Sequence, residues 1–290
     1  MARPEARLAE NVAGEFYVDQ TCIDCATCRV VAPEVFARSQ GQLSYVHRQP
    51  QDGAQARRAL MALVACPTAS IGTVSRRPAH AGVDAFPEKL ADGVYYCGFA
   101  AEASFGASSY LVVRPEGNVL VDSPRAADPL LRRVTGLGGV RQMFLTHRDD
   151  VADHARWHAR FGCERVLHAG DVTAATRGVE RTLTGGEPVR LADDLLAIPT
   201  PGHTMGSACL LYRDTFLFTG DHLMASEDGT RLHASRAVCW YSWPEQMRSL
   251  ERLLDYRFEW VLPGHDGRYR APSAAAARAE LERLLARLRR

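Results

Sequence analysis

Short apolar runs alternate with polar turns along most of the chain, and many of the turns contain Gly, Pro, Asn or Asp. Runs of this kind are typical of β-strands. In the larger, C-terminal part, the pattern predicts strands at residues 93–97, 109–113, 118–122, 143–145, 164–168, 195–199, 209–212, 215–218 and 260–262. Several of these strands end just before a His or an Asp, and strand ends on a rigid sheet are good places to fix a metal site.

Apolar residues at helical spacing predict helices between and after the strands. The clearest pattern is at the C-terminus, where Leu281, Leu284, Leu285 and Leu288 would share one face of a helix. The predicted helices span residues 55–64, 127–137, 151–161, 243–254 and 273–290. Together with short strands at 16–18 and 43–46, they predict an α+β protein.

The densest group of potential metal ligands follows the predicted strand 143–145. It contains His147, Asp149, Asp150, Asp153 and His154. Imidazole nitrogens and carboxylate oxygens are ligands for zinc and iron. Capping of the next helix would account for Asp150 at the N-cap and Asp153 in the first turn, but it does not account for the two histidines.

Three more potential ligands stand on turns that contain glycine. His203 follows Pro201-Gly202, Asp221 follows Thr219-Gly220, and His265 follows Pro263-Gly264. Each turn comes after a predicted strand. The pattern therefore predicts one metal site built from several strand ends.

Composition narrows the classes of ligand and the cellular compartment that are expected for this protein. The chain has 290 residues, of which 46% are hydrophobic and 24% charged, and its net charge is +1. This balance gives no electrostatic reason to expect binding to nucleic acid or to an anionic membrane, so we expect a small-molecule substrate. Without an apolar signal segment or a membrane-spanning run, we expect the protein to be cytoplasmic.

Four of the eight cysteines lie close to the N-terminus in a spacing that predicts an iron–sulfur cluster. Cys22, Cys25 and Cys28 are each separated by two residues, and Cys66 stands before a proline. Three thiolates on one loop can bind three irons of a cubane, and a remote cysteine can bind the fourth. A zinc site is the alternative, but zinc ribbons usually have two separated Cys pairs.

Residues 12–75 resemble the bacterial-type ferredoxins that hold a single [4Fe–4S] cluster. The resemblance rests on the four cysteines and on the segments 32–36 and 65–71. It implies a ferredoxin-like βαββαβ-type cluster domain, with Cys22, Cys25, Cys28 and Cys66 as the ligands. Ala32 stands where a second-cluster cysteine would be, so one cluster is expected. We expect it to transfer electrons, with a possible electron-transfer partner; a purely structural cluster is the alternative.

Residues 76–87, with two prolines and no sustained period, are predicted to form a linker. Residues 88–290 resemble the metallo-β-lactamase superfamily, and most closely its glyoxalase-II-like members. The matching motifs are Asp122, Thr146-His147, Asp153-His154, 201–207, Gly220-Asp221 and Pro263-Gly264-His265. The resemblance implies an αββα sandwich with one or two divalent metal ions, zinc or iron, at one edge.

The resemblance also assigns roles to the ligand residues. His147 and His203 would bind the first metal; Asp153, His154 and His265 would bind the second. Asp221 would bridge the two metals, and Asp122 would orient ligands from behind. Asp221 and Asp153 are the predicted catalytic residues.

The ligand motif departs from the family pattern Thr-His-x-His-x-Asp-His. This chain lacks the second His, and Asp149 stands in its place, with Asp150 as the alternative. The loop from His147 to Asp153 is also about two residues longer than in the family. A carboxylate at this position moves the preference from zinc toward iron or manganese, or indicates a single metal.

Two reactions are therefore expected from the sequence. The first is metal-dependent hydrolysis of an ester-like or thioester-like bond by activated water. The second is non-haem iron or di-iron redox chemistry fed with electrons by the protein's own cluster. Flavodiiron proteins, in the same superfamily, also have a carboxylate where the second His usually stands. A sensor or assembly protein that only binds the metals is a third possibility.

Overall fold

Two short β ladders and two helices form the N-terminal part of the computed structural model, which describes residues 2–75 and 79–289. The elements are β1 Phe16–Val18, α1 Thr27–Val31, β2 Phe36–Arg38, β3 Ser44–Val46, α2 Gly53–Ala65 and β4 Ile71–Thr73. Their order is β-α-β-β-α-β. β1 pairs antiparallel with β4, and β2 pairs antiparallel with β3.

Local capping explains where the longer of these helices begins. The Asp52 carboxylate accepts a hydrogen bond from the Gln55 N–H at 2.8 Å, as an N-cap residue does. Helix α2 therefore starts before the predicted residue 55. The short helix α1 was not predicted, because it begins inside the cysteine motif, where the apolar pattern gives no helical period.

The predicted linker contains more structure than its sequence indicated. Its residues 76–78 lie outside the described residues. After them comes a short helix, α3 His80–Val83. Gly82 lies so close to α2 that a Cβ there would be 2.3 Å from the Leu60 carbonyl oxygen, so this segment is packed against the N-terminal part.

A seven-stranded sheet forms the first layer of the C-terminal part. Its strands are β5 Glu88–Ala91, β6 Val94–Tyr96, β7 Tyr110–Val112, β8 Val119–Val121, β9 Gln142–Phe144, β10 Glu164–His168 and β11 Arg181–Leu183. Strands β5 to β8 are antiparallel neighbours, and β8 to β11 are parallel. The parallel strands bring the residues after β8, β9 and β10 to one edge of the sheet.

A six-stranded sheet forms the second layer. Its strands are β12 Val189–Ala192, β13 Leu195–Pro199, β14 Ala208–Tyr212, β15 Phe216–Gly220, β18 Trp260–Pro263 and β19 Tyr269–Arg270. A separate ladder pairs β16 Met224–Ala225 with β17 Leu232–His233. β15 and β18 run parallel, and β13 has the same direction as β15 because β14 is antiparallel to both. Their ends carry the three glycine-containing turns to one edge.

Helices cover the outer faces of both sheets. They are α4 Asp128–Gly136, α5 His154–Phe161, α6 Trp243–Arg252 and α7 Ala274–Leu288. Leu130 of α4 and Trp157 of α5 are buried in the same core as the first sheet. Leu250 of α6 and Leu281 of α7 pack with the outward-facing residues of the second sheet, such as Leu217. Among the described residues, no helix has the length and apolar character needed to cross a membrane.

Candidate metal centre and cluster site

The strand ends bring three histidines around one carboxylate oxygen. Asp221 Oδ2 is 3.8 Å from His147 Nε2, 3.8 Å from His203 Nε2 and 3.6 Å from His265 Nε2. His147 follows β9, Asp221 follows β15, and His265 follows β18, so each residue is positioned by a different strand. Asp221 thus has the central place that the sequence predicted for a bridging ligand.

Two groups of possible ligand atoms surround this centre. His147, Asp149 and His203 form the first, in which Asp149 Oδ2 is 3.5 Å from His203 Nε2. His147, Asp150 and Asp221 form the second. The structure therefore brings both candidate aspartates to the centre, rather than one in place of the other.

Unpartnered buried atoms test whether these residues fit a metal. Among the described residues, His147 Nε2, His203 Nε2, Asp150 Oδ2 and Asp221 Oδ1 are buried and have no hydrogen-bond partner. Buried polar atoms nearly always have a partner, so each of these requires an explanation. Divalent cations accept these atoms as ligands, and the group fits one or two such ions.

Burial shifts the pKa values of Asp150 and His147 toward their neutral forms. Burial raises the pKa of Asp150 well above its ordinary value, and the nearby Asp221 and Asp122 carboxylates raise it further. Burial also lowers the pKa of His147, against the attraction of Asp221. A bound cation would favour the ionised form of Asp150 and would keep the imidazole of His147 neutral.

Asp122 and Thr146 orient His147 from behind. Asp122 Oδ1 accepts hydrogen bonds from the Thr146 N–H at 2.8 Å and from its hydroxyl at 3.0 Å. The same hydroxyl lies 3.0 Å from His147 Nδ1. When Thr146 donates to Asp122 it accepts from Nδ1–H, which leaves the Nε2 lone pair free for a metal.

Asp171 ties the loops of His147 and His203 together, and sequence reasoning missed it. Its carboxylate accepts from the Arg148 N–H at 2.9 Å, the Thr204 hydroxyl at 2.5 Å and the Gly206 N–H at 2.8 Å. It lies in a 3-10 helix, Ala169–Asp171, directly after β10. Its place after an apolar strand was the available signal.

Two glycines allow the ligand loops to approach each other. Gly220 has φ +48°, and a Cβ there would be 2.3 Å from Thr146 Oγ1. At Gly264 a Cβ would be 2.7 Å from both Asp150 Oδ2 and Asp221 Oδ1. Glycine is therefore required at both positions because a side chain would overlap neighbouring atoms. This requirement is separate from any role in reversing the chain.

The structure does not bring Asp153 and His154 into this group, in contrast to the ligand set predicted from the resemblance. Asp153 Oδ2 accepts from the Ala126 N–H at 2.8 Å, and Arg156 Nη1 lies 3.2 Å from it. His154 Nδ1 lies 3.1 Å from Arg165 Nη1, and Arg165 also forms an ion pair with Glu180. Both side chains are occupied elsewhere.

The reason for this difference is the start of helix α5. The sequence predicted a helix from residue 151 with Asp150 as its N-cap, but α5 begins at His154 and Asp153 is the flanking residue. The longer loop leaves Asp150 free to turn inward, where it is buried beside Asp221. Asp150 therefore lies with His147 and Asp221, and Asp153 does not.

The four predicted cluster cysteines line one cavity. Cys22, Cys25, Cys28 and Cys66 surround one small space. Asp24 and Ala26, with φ +58° and +63°, give the loop its tight path around this space. All four thiols are free. Burial raises the pKa of Cys25 and of Cys28, so loading a cluster would have to displace their protons.

The cluster loop is packed directly on the C-terminal part. Thr27 donates a hydrogen bond to the Gly106 carbonyl at 3.1 Å. A Cβ at Gly106 would be 2.9 Å from Cys25 Sγ, so only glycine allows this approach. Arg125 Nη2 donates to the Val64 carbonyl at 2.8 Å. One hydrophobic core contains residues of both parts.

Comparisons with known proteins find matches to both parts of the chain. Residues 18–73 match the family model described as the 4Fe-4S single cluster domain of Ferredoxin I. The structure of the BLEG-1 B3 metallo-β-lactamase is similar to the chain with a TM-score of 0.51 at 16% identity. This match covers 66% of the chain and 99% of the lactamase. The chain joins a single-cluster ferredoxin domain to a metallo-β-lactamase fold.

Two further proteins are similar to this chain. An archaeal metallo-β-lactamase superfamily protein from Sulfolobus tokodaii has a TM-score of 0.49 at 19% identity, covering 69% of this chain and 88% of its own. A hydroxyacylglutathione hydrolase of Rhodospirillum rubrum is 31% identical over 150 residues, or 50% of this chain. The match spans 57% of that hydrolase's length.

Proposed function

We propose that this ferredoxin-fused metallo-β-lactamase-fold protein is a metal-dependent hydrolase that acts on an ester-like or thioester-like bond. The observation that carries the proposal is the group of three histidines around Asp221, with buried ligand atoms that lack partners. The hydroxyacylglutathione hydrolase among its relatives supports this reaction class. A divalent ion in such a site supplies Lewis acidity and lowers the pKa of water to near neutrality.

In this proposal His147, Asp149 and His203 hold the first ion, and Asp150, Asp221 and His265 hold the second. This proposed ligand set contains Asp150 in place of Asp153 and His154, which the family resemblance had implied. Asp221 keeps its predicted catalytic role, because its carboxylate lies between the two groups. Asp153 becomes a residue that fixes the loop before α5 through the Ala126 N–H.

Exposed apolar side chains beside the histidines favour a substrate with an apolar part. Trp240 is 61% exposed, and its ring centroid is 6.2 Å from that of His203. Phe105 is 55% exposed, with its centroid 6.1 Å from that of His265. Large exposed aromatic side chains at a site mouth commonly contact a ligand.

A second candidate function is iron-dependent redox chemistry fed by the cluster. Two observations favour it. The proposed ligands include three carboxylates, which suit iron better than zinc. Cys25 and His265 also line the same cavity, so a cluster ligand and a metal ligand are close neighbours. In this candidate an external electron carrier is the partner, and a reducing, cytosolic setting suits both sites.

Metal analysis of the anaerobically purified protein distinguishes the two candidates. About four irons and two zincs per chain, with hydrolysis of a thioester such as an acylated glutathione, would support the hydrolase. About six irons, with a mixed-valence di-iron signal in electron paramagnetic resonance and no hydrolysis, would contradict it. Asp221→Asn is the variant to compare with the wild-type protein in both measurements, since it keeps the side-chain shape and removes the charge that lies between the two groups of ligands.

A further inference from the structure

A partly buried arginine lines a small cavity shared by the cluster site and the metal centre. Arg268 lines it together with Cys25, Thr27, Tyr96 and His265. Its Cζ atom is 3.9 Å from the centroid of the Tyr96 ring. This stacking holds the guanidinium in the wall that separates the two sites.

The guanidinium of Arg268 has no ion-pair partner among the described residues, since Asp266, which lines the same cavity, pairs with His233. Its Nε and Nη2 atoms are buried without a hydrogen-bond partner, and no carboxylate of the described residues forms an ion pair with it. A buried cation without a partner is costly, so an anion is expected nearby. The carboxylates proposed as metal ligands do not serve as this anion, because each of them already lies beside histidines.

The other arginines near the cluster differ from Arg268. Arg29 is neutralised by Asp24 and Glu227, both at 2.8 Å. Arg125 donates to the carbonyls of Ala100 and Val64, both at 2.8 Å. Arg268 alone among these three lacks both a carboxylate and a carbonyl partner for its buried Nε and Nη2 atoms.

We propose that Arg268 raises the reduction potential of the cluster held by Cys22, Cys25, Cys28 and Cys66. Four thiolates make the cluster an anion, and one-electron reduction makes it more negative. A fixed cation at short range stabilises the reduced form more than the oxidised form. Because Arg268 lines the cavity that Cys25 and His265 share, its positive charge acts on the side of the cluster that faces His265.

A redox titration of the full-length protein, reconstituted anaerobically and reduced stepwise with dithionite, tests the proposal. We expect Arg268→Gln to lower the ratio of reduced to oxidised cluster about tenfold at the wild-type midpoint, which corresponds to about 59 mV for one electron. The electron paramagnetic resonance signal of the reduced cluster reports the ratio. We expect Arg268→Lys to restore most of it, because lysine keeps the charge.

Arg270→Gln is the matched control. Arg270 lies two residues further along the chain in β19, is exposed and stacks on Trp260, so water screens its charge and its loss should leave the midpoint unchanged. An unchanged midpoint in Arg268→Gln with full cluster content would overturn the proposal. So would a midpoint in Arg268→Lys as low as in Arg268→Gln, since packing rather than charge would then be responsible.

A second variant covers the case in which Arg268→Gln does not fold. Ser108 lines the same cavity and is partly exposed. Ser108→Asp places a carboxylate beside Arg268, and Ser108→Asn places a neutral group of the same shape. We expect a lower midpoint in the aspartate variant; equal midpoints in the two variants would refute the electrostatic role. The readout is independent of hydrolysis, so it remains valid for either candidate reaction.

Discussion

At the scale of single residues, the most informative position is Asp150. It is buried, its Oδ2 atom has no partner, and it lies with His147 and Asp221. Asp153, three positions later, is bound to the Ala126 N–H. Asp150 therefore lies beside Asp221, where the family resemblance had implied Asp153. Neither role can be derived from spacing, because both depend on where one helix begins.

Paired substitutions separate these roles. We expect Asp150→Asn to lose most of the metal from the group of Asp150, Asp221 and His265, since a neutral amide is a poor ligand for a divalent ion. Asp153→Asn should keep its metal and lose only about 1 kcal/mol of unfolding free energy, from one weakened hydrogen bond. Mass-spectrometric metal analysis and denaturant unfolding measure the two effects. Metal loss in Asp153→Asn alone would restore the ligand set implied by the family resemblance.

Asp221 provides a test that the two sites are separate. We expect Asp221→Ala to lower metal occupancy at the histidine centre and to leave the visible absorbance of the cluster unchanged. The reason is that the contacts of the Asp221 carboxylate among the described residues are with histidines and not with a cysteine. Metal analysis and absorbance can be measured on the same sample. Loss of cluster absorbance in this variant would show that the two sites depend on each other.

The hydroxyl of Thr146 offers a test of ligand orientation. Thr146→Val keeps the shape of the side chain and removes the group that joins Asp122 to His147 Nδ1. Loss of such outer partners typically weakens metal binding about 10- to 100-fold, and we expect a loss of that size. Thr146→Ser keeps the hydroxyl and should bind nearly normally. Competition with a chelator measures both affinities; equal affinity in Thr146→Val and wild type would remove Thr146 from the site.

At the scale of elements, the strand ends determine the site. Because β8, β9 and β10 are parallel, the residues that follow them lie side by side. The sequence marked His147, His203, Asp221 and His265 as candidates because each follows an apolar run, whereas the role of Asp122 was implied only by the family resemblance. It could not predict Asp171 in its role, since that role depends on contacts between two loops far apart in the chain.

Gly220, at the end of β15, tests how closely the loops must approach. We expect Gly220→Ala to lower the unfolding free energy by about 1–3 kcal/mol, because its Cβ would overlap Thr146 Oγ1 and the backbone has a positive φ. Thermal and denaturant unfolding measure the loss. Gly136→Ala, in helix α4 with open space around it, is the control and should be neutral or slightly stabilising. Equal stability of the two variants would contradict the close packing.

At the scale of the whole molecule, the sequence predicted two parts but not their contact. Composition and motifs identify a cluster segment and a metal segment. The contact depends on Gly106 beneath Cys25, on Arg125 and on the ion pair of Arg29 with Glu227. None of these residues has a pattern that indicates a partner, because each contact joins positions distant in sequence.

The contact between Cys25 and Gly106 bears on how the protein is assembled in the cell. The loop that carries Gly106 also donates the Ser108 N–H to the Gly264 carbonyl, next to His265. A cysteine loop that is not yet ordered by its cluster leaves this segment without its packing surface. We therefore expect iron–sulfur insertion to come before, or together with, the last folding step of the metal domain. Newly made chains in cells short of iron or sulfur would be cleaved preferentially near this segment.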